Sequence, residues 1–473
     1  MGERTRTARD FLGAIQIPAD ALYGVNTARA RENFAFSGRV LGDEPAYLRA
    51  FAFIKKACAE ANRSAGILPN EIAEAIAAAC DELVAGKHRE HFVVDMLEGT
   101  GGTATNMNVN EVLASRAAAI LGGLPGDYER VHPNDHVNLS QSTNDVVPSA
   151  IKLACHEMLA ELATVLRGLR DEFLRKAAEY ADLMRLGRTC LQDAQPMMLG
   201  QAFGGYASLV ERLEAKLLLL RSELTELPLG GTAIGTGLGS PDRFRNSVLD
   251  KLSEHTEVAW RAPQDNFDAM QNVDCFARLS GELKTCALSL AKIGSDFIIL
   301  SSGPSGGLGE LQLPPLQAGS SIMPGKVNPV QPMALCQASM VVAGNDTAVA
   351  MAAQQGQLEV NHYEPLIASS LFSSLRLMTS EIRLFSEKCV AGLRADAPQT
   401  MSNLTLSSAV STAVVPRIGY ERTAQIVRRA RDAGVPFSEM AISEGVVSAA
   451  EMEALLAQAT SGHVDRMVSP KGP

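Results

Sequence analysis

Residues 319–329 have the sequence GSSIMPGKVNP, and this segment decides how the rest of the chain is interpreted. Its glycines and prolines predict an irregular loop, because both residue types interrupt helices and strands. The polar side chains of the segment are Ser320, Ser321, Lys326 and Asn328. Such a loop can close over an anion, since lysine supplies charge while serine and asparagine supply oriented donors. Its composition fits a plain connection between two helices equally well.

The sequence on both sides of this loop is predicted to be helical. Apolar residues recur at the spacing of amphipathic helices over about residues 151–183, 199–227, 276–300, 333–351 and 365–392. Aromatic residues make up only 5% of the chain, while alanine and leucine are abundant, which favours helices over sheets. Because long helices usually pack as a bundle, we expect an all-α protein with a central bundle.

The chain has 473 residues and is too long for one compact core. The change in helix length along the sequence predicts three domains. Residues 1–145 form a mostly helical N-terminal domain, residues 146–398 the central bundle of long helices, and residues 399–473 a small helical C-terminal domain. Within the central domain, the glycine- and proline-rich segment at about residues 301–332 is expected to be a mobile loop.

Charge and cysteine content exclude several classes of protein. The net charge is −10, with 43 basic and 53 acidic residues, which disfavours nucleic acid as a partner. The sequence has no apolar stretch long enough to cross a membrane and no signal peptide at residues 1–10. Its eight cysteines form no C-x-x-C pair, as in a cytoplasmic protein with reduced thiols. Only His132 and His136 stand out as paired histidines, so we expect no metal site.

Two further polar segments lie far from residues 319–329 in the sequence. Residues 101–108 read GGTATNMN and residues 140–145 read SQSTND, so both are rich in small hydroxyl and amide side chains. The first is poor in strong helix formers. We therefore expect a loop over residues 99–110 that leads into a helix near Glu111.

These three polar segments resemble the active-site regions of the aspartase/fumarase superfamily. Residues 17–25 (IPADALYGV) and 187–194 (GRTCLQDA) are similar to other parts of the same family. The resemblance covers nearly the whole chain and is closest to the branch of aspartate ammonia-lyases and class II fumarases. It implies a three-domain helical fold whose central helices form the core of a homotetramer, with each active site shared by three subunits.

The resemblance also implies an anti-elimination from a small dicarboxylate, a substituted succinate, without a cofactor. A base removes the proton beside one carboxylate, and the resulting dianion must be stabilised by fixed donors. Ser320 would be this base, activated by positive charge and backbone donors around its hydroxyl. The other implied contacts are Lys326 and Asn328 with one carboxylate, Thr103, Ser142, Thr143 and Ser321 with the other, and Asn144 and Thr189 with the leaving group.

Two positions depart from the family pattern and are predicted to line the leaving-group pocket. Cys190 stands where fumarases and several aspartases carry histidine, and Met333 stands where the family usually has glutamate. In fumarases that charged pair lies beside the departing oxygen. Its loss argues against a fumarase, because hydroxide needs protonation to leave, whereas ammonia leaves from an amine that is already protonated. Random variation at tolerant positions would explain the two changes equally well.

The leading interpretation is a lyase that converts L-aspartate into fumarate and ammonia. A less polar pocket at Cys190 and Met333 also fits a C–S or C–N lyase for a larger adduct, such as S-(2-succinyl)cysteine or an N-substituted aspartate. A class II fumarase is the third possibility. A non-catalytic structural relative is the fourth, and the retention of Ser320, Lys326 and Asn328 argues against it.

Overall fold

The computed structural model describes residues 4–461, and α-helices make up most of this part of the chain. In chain order the helices are α1 Val25–Asn33, α2 Pro45–Ser64, α3 Asn70–Val84, α4 Thr103–Ile120, α5 Thr143–Glu179, α6 Leu199–Glu223, α7 Asp242–Thr256, α8 Asn266–Gln271, α9 Asp274–Leu300, α10 Val330–Gln354, α11 Glu364–Phe385, α12 Ala397–Leu406, α13 Val415–Ile418, α14 Tyr420–Ala433, α15 Phe437–Ser443 and α16 Ala449–Ser461. The predicted all-α fold class is therefore confirmed.

The five helices predicted from amphipathic spacing correspond to α5, α6, α9, α10 and α11. The helix predicted near Glu111 begins eight residues earlier, because α4 starts at Thr103. The expected loop over residues 99–110 is thus wrong over most of its length. The small polar residues of this segment are helical because most of them are buried, and tertiary packing overrides their weak helix propensity.

Three antiparallel two-stranded sheets, of which the first two are hairpins, accompany the helices in the described residues and are not predicted from the sequence. They pair β1 Thr5–Asp10 with β2 Gly13–Pro18, β3 Met184–Thr189 with β4 Gln192–Met198, and β5 Leu311–Gln312 with β6 Arg394–Ala395. In the second hairpin, Cys190 and Leu191 form a two-residue turn with φ angles of 53° and 60°. Two positive φ angles are typical of the tight turn that matches the twist of paired strands.

The chain divides into two compact units that are built from alternating segments. The first comprises the described residues up to Ala163, with Ala215–Ala287 and Met340–Thr379. The second comprises Thr164–Glu214, Leu288–Ser339 and the described residues from Ser380 onward. The division of the sequence into three consecutive domains stays a prediction.

Each unit has an aromatic cluster in its core. In the first unit, the ring of Tyr47 lies 4.8 Å from that of Phe51 and 5.0 Å from that of Phe372, measured between centroids. In the second unit, the ring of Phe297 lies 6.2 Å from Phe203 and 5.6 Å from Phe385. All three phenylalanines of the second cluster are fully buried, so they hold together helices α6, α9 and α11.

No helix in the described part of the chain is both long and apolar enough to span a membrane.

Phe297→Ala is expected to destabilise the protein by about 3–5 kcal/mol, because it leaves a cavity among packed rings. Urea unfolding followed by circular dichroism, at one fixed protein concentration, measures this change. Phe267→Ala is the matched control, since Phe267 is 50% exposed and its removal opens no cavity. Equal unfolding midpoints for the two variants would contradict the described core.

Candidate active site

The predicted site residues fall into both compact units. Thr103, Ser142, Thr143 and Asn144 belong to the first unit, and Thr189, Cys190, Ser320, Ser321, Lys326, Asn328 and Met333 belong to the second.

In the first unit, the N-terminal ends of α4 and α5 lie next to each other. Thr103 is the first residue of α4 and Thr143 is the first residue of α5. The Asn106 side chain donates a hydrogen bond from Nδ2 to Thr143 Oγ1 at 3.2 Å. The first N–H groups of α4 already donate, that of Ala104 to Thr100 Oγ1 at 2.8 Å and that of Thr105 to Glu98 Oε1 at 3.4 Å. What the two adjacent ends offer an anion is therefore their partial positive charge and the hydroxyl groups of Thr103 and Thr143.

Gly102 allows this close approach of the two helices. Its φ of 94° lies in the left-handed region, and a Cβ atom built on it would be 2.9 Å from Val147 Cγ2 of α5. Any other side chain would therefore be strained by its backbone conformation and would also push the helices apart. The glycine at this position sets the distance between Thr103 and the start of α5.

Residues 142–145 form a hydrogen-bonded turn at the start of α5. The Ser142 N–H donates to Asp145 Oδ1 at 3.0 Å, and Ser142 Oγ accepts from the Asn144 N–H at 3.3 Å. Asn144 donates from Nδ2 to the Ala233 carbonyl oxygen at 2.8 Å. Ser142, Thr143 and Asn144 are partly exposed, so they are accessible to a ligand.

Asp145 is completely buried behind this turn, and sequence reasoning missed it. Its Oδ2 atom accepts hydrogen bonds from the N–H groups of Gly230 at 3.1 Å and Thr232 at 2.9 Å. Burial raises the pKa of the Asp145 carboxyl to about 7, although these backbone N–H groups oppose the shift. The signal that could have drawn attention here is the five glycines within residues 230–239.

A second buried charge, Lys55 of α2, lies beneath the same region. Its Nζ donates to Asn138 Oδ1 at 3.0 Å and to Gln141 Oε1 at 2.9 Å. Asn106 also donates to Asn138 Oδ1, at 3.1 Å, so the network reaches the residue that contacts Thr143. Burial lowers the pKa of Lys55 to about 8. Sequence reasoning missed Lys55 because it lies within ordinary amphipathic helical sequence.

In the second unit, residues 319–328 form a closed loop with Ser320 near its start. Ser320 Oγ accepts hydrogen bonds from two backbone N–H groups, those of Ile322 at 3.2 Å and Met323 at 3.0 Å. The Gly319 N–H donates to the Lys326 carbonyl oxygen at 2.7 Å, and Asn328 Nδ2 donates to the Gly319 carbonyl oxygen at 2.9 Å. These contacts define the loop, while Ser321 and the Lys326 side chain stay exposed.

Glu310 fixes the segment that leads into this loop, and it was also missed. The residue is 1% exposed. Its Oε1 atom lies 2.7 Å from Arg188 Nη2 and accepts from Asn403 Nδ2 at 3.0 Å, while Oε2 lies 3.3 Å from Arg185 Nη2. Since both arginines belong to β3, these ion pairs hold that strand beside the chain that enters the loop.

The predicted leaving-group residues lie at the ends of two elements of the second unit. Thr189 ends β3 and Cys190 follows it in the exposed hairpin turn. Met333 lies in the first turn of α10 and is 45% exposed. All three side chains are therefore accessible to solvent or to another molecule, and none is held in the core.

One group of possible metal ligands occurs among the described residues, away from the predicted site. His88, Glu90 and His91 offer ligand atoms within 4.8 Å of one another. The three-residue spacing of the two histidines is a signal that the sequence analysis overlooked. His88 Nε2 already lies 2.7 Å from Glu82 Oε2, and Glu82 also pairs with Arg116, so this group is accounted for as an ion-pair network.

Comparisons with known proteins agree with this architecture. A family model described as "Lyase" matches residues 13–344. An aspartate ammonia-lyase from Helicobacter pylori is 42% identical over 95% of this chain and 96% of its own length. A class II fumarate hydratase from Ralstonia nicotianae is 41% identical over 95% of this chain and 97% of its own length.

A solved structure extends the similarity to three dimensions. A fumarate lyase:delta crystallin from Brucella melitensis, crystallised with cobalt, is 42% identical and superimposes with a TM-score of 0.93. The alignment covers 99% of this chain and 100% of that protein. The chain therefore belongs to the aspartase/fumarase superfamily of lyases, as the resemblance of its polar segments predicts.

Proposed function

We propose that this fumarate-forming lyase acts on L-aspartate and releases fumarate and ammonia. The observation that carries the proposal is the pair of backbone N–H groups that donate to Ser320 Oγ, at 3.2 and 3.0 Å. A serine can act as a base only when its oxyanion is stabilised, and fixed backbone donors provide that stabilisation. The similarity to aspartate ammonia-lyases over almost the full length supports the same substrate.

In the proposed reaction, Ser320 removes a proton from the carbon next to one carboxylate of the substrate. The electrons that remain spread onto this carboxylate, which becomes a dianion. The C–N bond then breaks, the electron pair leaves with nitrogen, and fumarate forms. Because the amine is already protonated, ammonia departs without an additional acid.

The converging ends of α4 and α5 suit the carboxylate on which charge accumulates. Thr103 and Thr143 each begin a helix, and Ser142 precedes the second one. Their hydroxyl groups are positioned by the helix ends before the reaction, so they stabilise developing charge without large reorganisation. Ser321 would complete this set from the loop that carries the base. Separation from bulk water strengthens each of these interactions.

Lys326 and Asn328 are proposed to bind the other carboxylate, and Asn144 and Thr189 the amino group. Lys326 is exposed on the loop, so its ammonium can reach an anion. One amide proton of Asn328 binds the Gly319 carbonyl oxygen, and the second stays available for a substrate oxygen. Asn144 donates to the Ala233 carbonyl, which leaves its own carbonyl oxygen as an acceptor for an ammonium group.

We also propose a cytoplasmic location and a homotetramer. In this homotetramer, residues of three subunits form each active site. The support for the homotetramer within the chain is a set of exposed apolar side chains on α10. Met340 is 68% exposed, Val341 50% and Met351 65%. Large apolar side chains clustered on the surface of one helix are typical of a subunit interface.

A second candidate function follows from the two substituted positions. Cys190 and Met333 present an exposed thiol and an exposed thioether where the family pattern has charged or amide groups. A C–S or C–N lyase for a larger adduct, such as S-(2-succinyl)cysteine or an N-substituted aspartate, would benefit from this less polar wall. A class II fumarase is disfavoured by the same substitutions, despite the 41% identity to one such enzyme.

Ser320→Ala is expected to lower kcat/KM for L-aspartate by about 10²–10⁴-fold, because the general base is lost. Fumarate formation is followed by its ultraviolet absorbance. Ser305→Ala, in the same glycine-rich segment but outside residues 319–329, is the control and should retain activity. If Ser320→Ala stays within about threefold of the wild type, another group is the base.

The leaving group is identified by supplying L-aspartate, L-malate and S-(2-succinyl)cysteine separately to the purified protein. We expect L-aspartate to give the highest kcat/KM, with L-malate at least about 100-fold lower because hydroxide lacks an acid to protonate it. A higher kcat/KM for S-(2-succinyl)cysteine than for L-aspartate would favour the C–S lyase over the aspartate ammonia-lyase. A preference for L-malate would mean that the pocket protonates hydroxide without the usual charged pair.

Sharing of sites between subunits is tested by mixing two inactive variants, Thr143→Ala and Ser320→Ala. If each site takes Thr143 from one subunit and Ser320 from another, mixed tetramers contain some sites in which both residues are wild type. Refolding the variants together should restore fumarate formation that neither shows when refolded alone. If the mixture is no more active than its components, each site uses both residues from a single subunit.

A further inference from the structure

A glycine-rich loop lies beside the start of α5 and contributes no side chain to the proposed chemistry. This loop, residues 230–239, is named the glycine loop here and connects α6 to α7. Five of its residues have positive φ angles, namely Gly230, Thr232, Gly235, Gly237 and Gly239. A segment with so many left-handed residues has a specific backbone path, because few other sequences can adopt it.

Three hydrogen bonds attach the glycine loop to the turn of residues 142–145 at the start of α5. Two run from the N–H groups of Gly230 and Thr232 to Asp145 Oδ2. The third runs from Asn144 Nδ2 to the Ala233 carbonyl oxygen. The other carboxylate oxygen of Asp145 accepts from the Ser142 N–H. Asp145 thus joins Ser142 on one side to the glycine loop on the other.

The burial of Asp145 points to a geometric role for its carboxylate. Burial of a carboxyl group without compensating bonds is costly, and an apolar side chain would fill the same space more cheaply. The charged group that acts on Asp145 is Lys55, whose attraction partly offsets the burial. What the carboxylate provides is two acceptor oxygens that can bind three backbone N–H groups at once.

Through the same contacts, the glycine loop determines how Asn144 presents its amide. Because the Ala233 carbonyl accepts from Nδ2, it orients the amide and leaves the carbonyl oxygen of Asn144 available as an acceptor. In the proposed reaction an ammonium group needs such an acceptor. A shift of the glycine loop would therefore change both the position of Ser142 and the orientation of Asn144.

We propose that Asp145 is a positioning residue that aligns Ser142 and Asn144 for the elimination by fixing the glycine loop to the start of α5. The inference rests on the proposed function, because these two residues are placed at the substrate there. Asp145 itself does not touch the substrate. Its effect is realised mainly in the transition state, where donors must meet the developing dianion.

Asp145→Asn tests this role, because it keeps the volume of the side chain but replaces one acceptor oxygen with a donor. The matched control is Asp95→Asn. Asp95 is also buried, and it accepts three backbone hydrogen bonds in the same pattern, two on Oδ2 from Phe36 and Ser37 and one on Oδ1 from Leu97. Both substitutions should lower the melting temperature, so stability alone does not separate them.

The two variants separate in their kinetics with L-aspartate. We expect Asp145→Asn to lower kcat about tenfold or more, with KM changed by less than about threefold, since misplaced donors act on the transition state. Asp95→Asn should keep kcat within about twofold of the wild type. Equal kcat values for Asp145→Asn and the wild type, or equal losses in both variants, would overturn the positioning role.

Gly235→Ala disturbs the glycine loop without changing Asp145. It tests the positioning role of Asp145 if Asp145→Asn does not fold. A Cβ atom on Gly235, whose φ is 103°, would lie 3.0 Å from backbone atoms of Asn266 and Phe267. Gly122→Ala is its control, with a similar φ of 82° and no atom within 4 Å of the new Cβ. We expect kcat to fall at least about threefold in Gly235→Ala and to stay near the wild-type value in Gly122→Ala.

The outcome also distinguishes this inference from the proposed function. If the wild-type protein releases fumarate from L-aspartate while Asp145→Asn and Gly235→Ala are both as active, only the positioning role is wrong. If the wild-type protein releases no fumarate from L-aspartate, the proposed substrate is wrong and the positioning role fails with it.

Discussion

The meeting of the N-terminal ends of α4 and α5 is the interaction on which the proposed site depends. An elimination beside a carboxylate passes through a dianion, and the protein has to supply positive potential where that charge develops. Two helix ends joined through Asn106 and Thr143 provide it through their partial positive charge. The close approach of α4 and α5 requires Gly102. The buried side chains of Lys55 and Asp145 lie behind the two helix ends.

The second unit contributes the loop of residues 319–328, which is held by internal hydrogen bonds and is exposed on the surface. Backbone N–H groups hold the Ser320 hydroxyl oxygen, while Glu310 pairs with two arginines of β3 and fixes the chain that enters the loop. A buried carboxylate therefore supports each predicted part of the site, Asp145 in one unit and Glu310 in the other. Asp145 accepts from backbone N–H groups, and Glu310 pairs with the two arginines of β3. Both carboxylates therefore fix the position of neighbouring protein segments.

The long helices and the polar segments were predictable, because each has a signal within a short stretch of sequence. Amphipathic spacing sustained over 25 residues or more identified α5 and α9, and the motif of residues 319–329 identified the loop. Asp145 and Glu310 gave no such signal, because their partners are distant in sequence. Gly230 and Thr232 lie 85 and 87 residues from Asp145, and no local pattern links them. The β3–β4 turn escaped notice because Cys190 and Leu191 are unusual in tight hairpins.

The proposed mechanism is a stereospecific elimination of ammonia in which Ser320 is the base and the two helix ends bind the dianion. The most direct test is the reverse reaction, with fumarate and ammonium supplied in deuterium oxide and the product examined by proton nuclear magnetic resonance. We expect L-aspartate with one deuterium at C3 in a single configuration, that of anti addition. Malate as the product, or aspartate with deuterium in both C3 configurations, would contradict it.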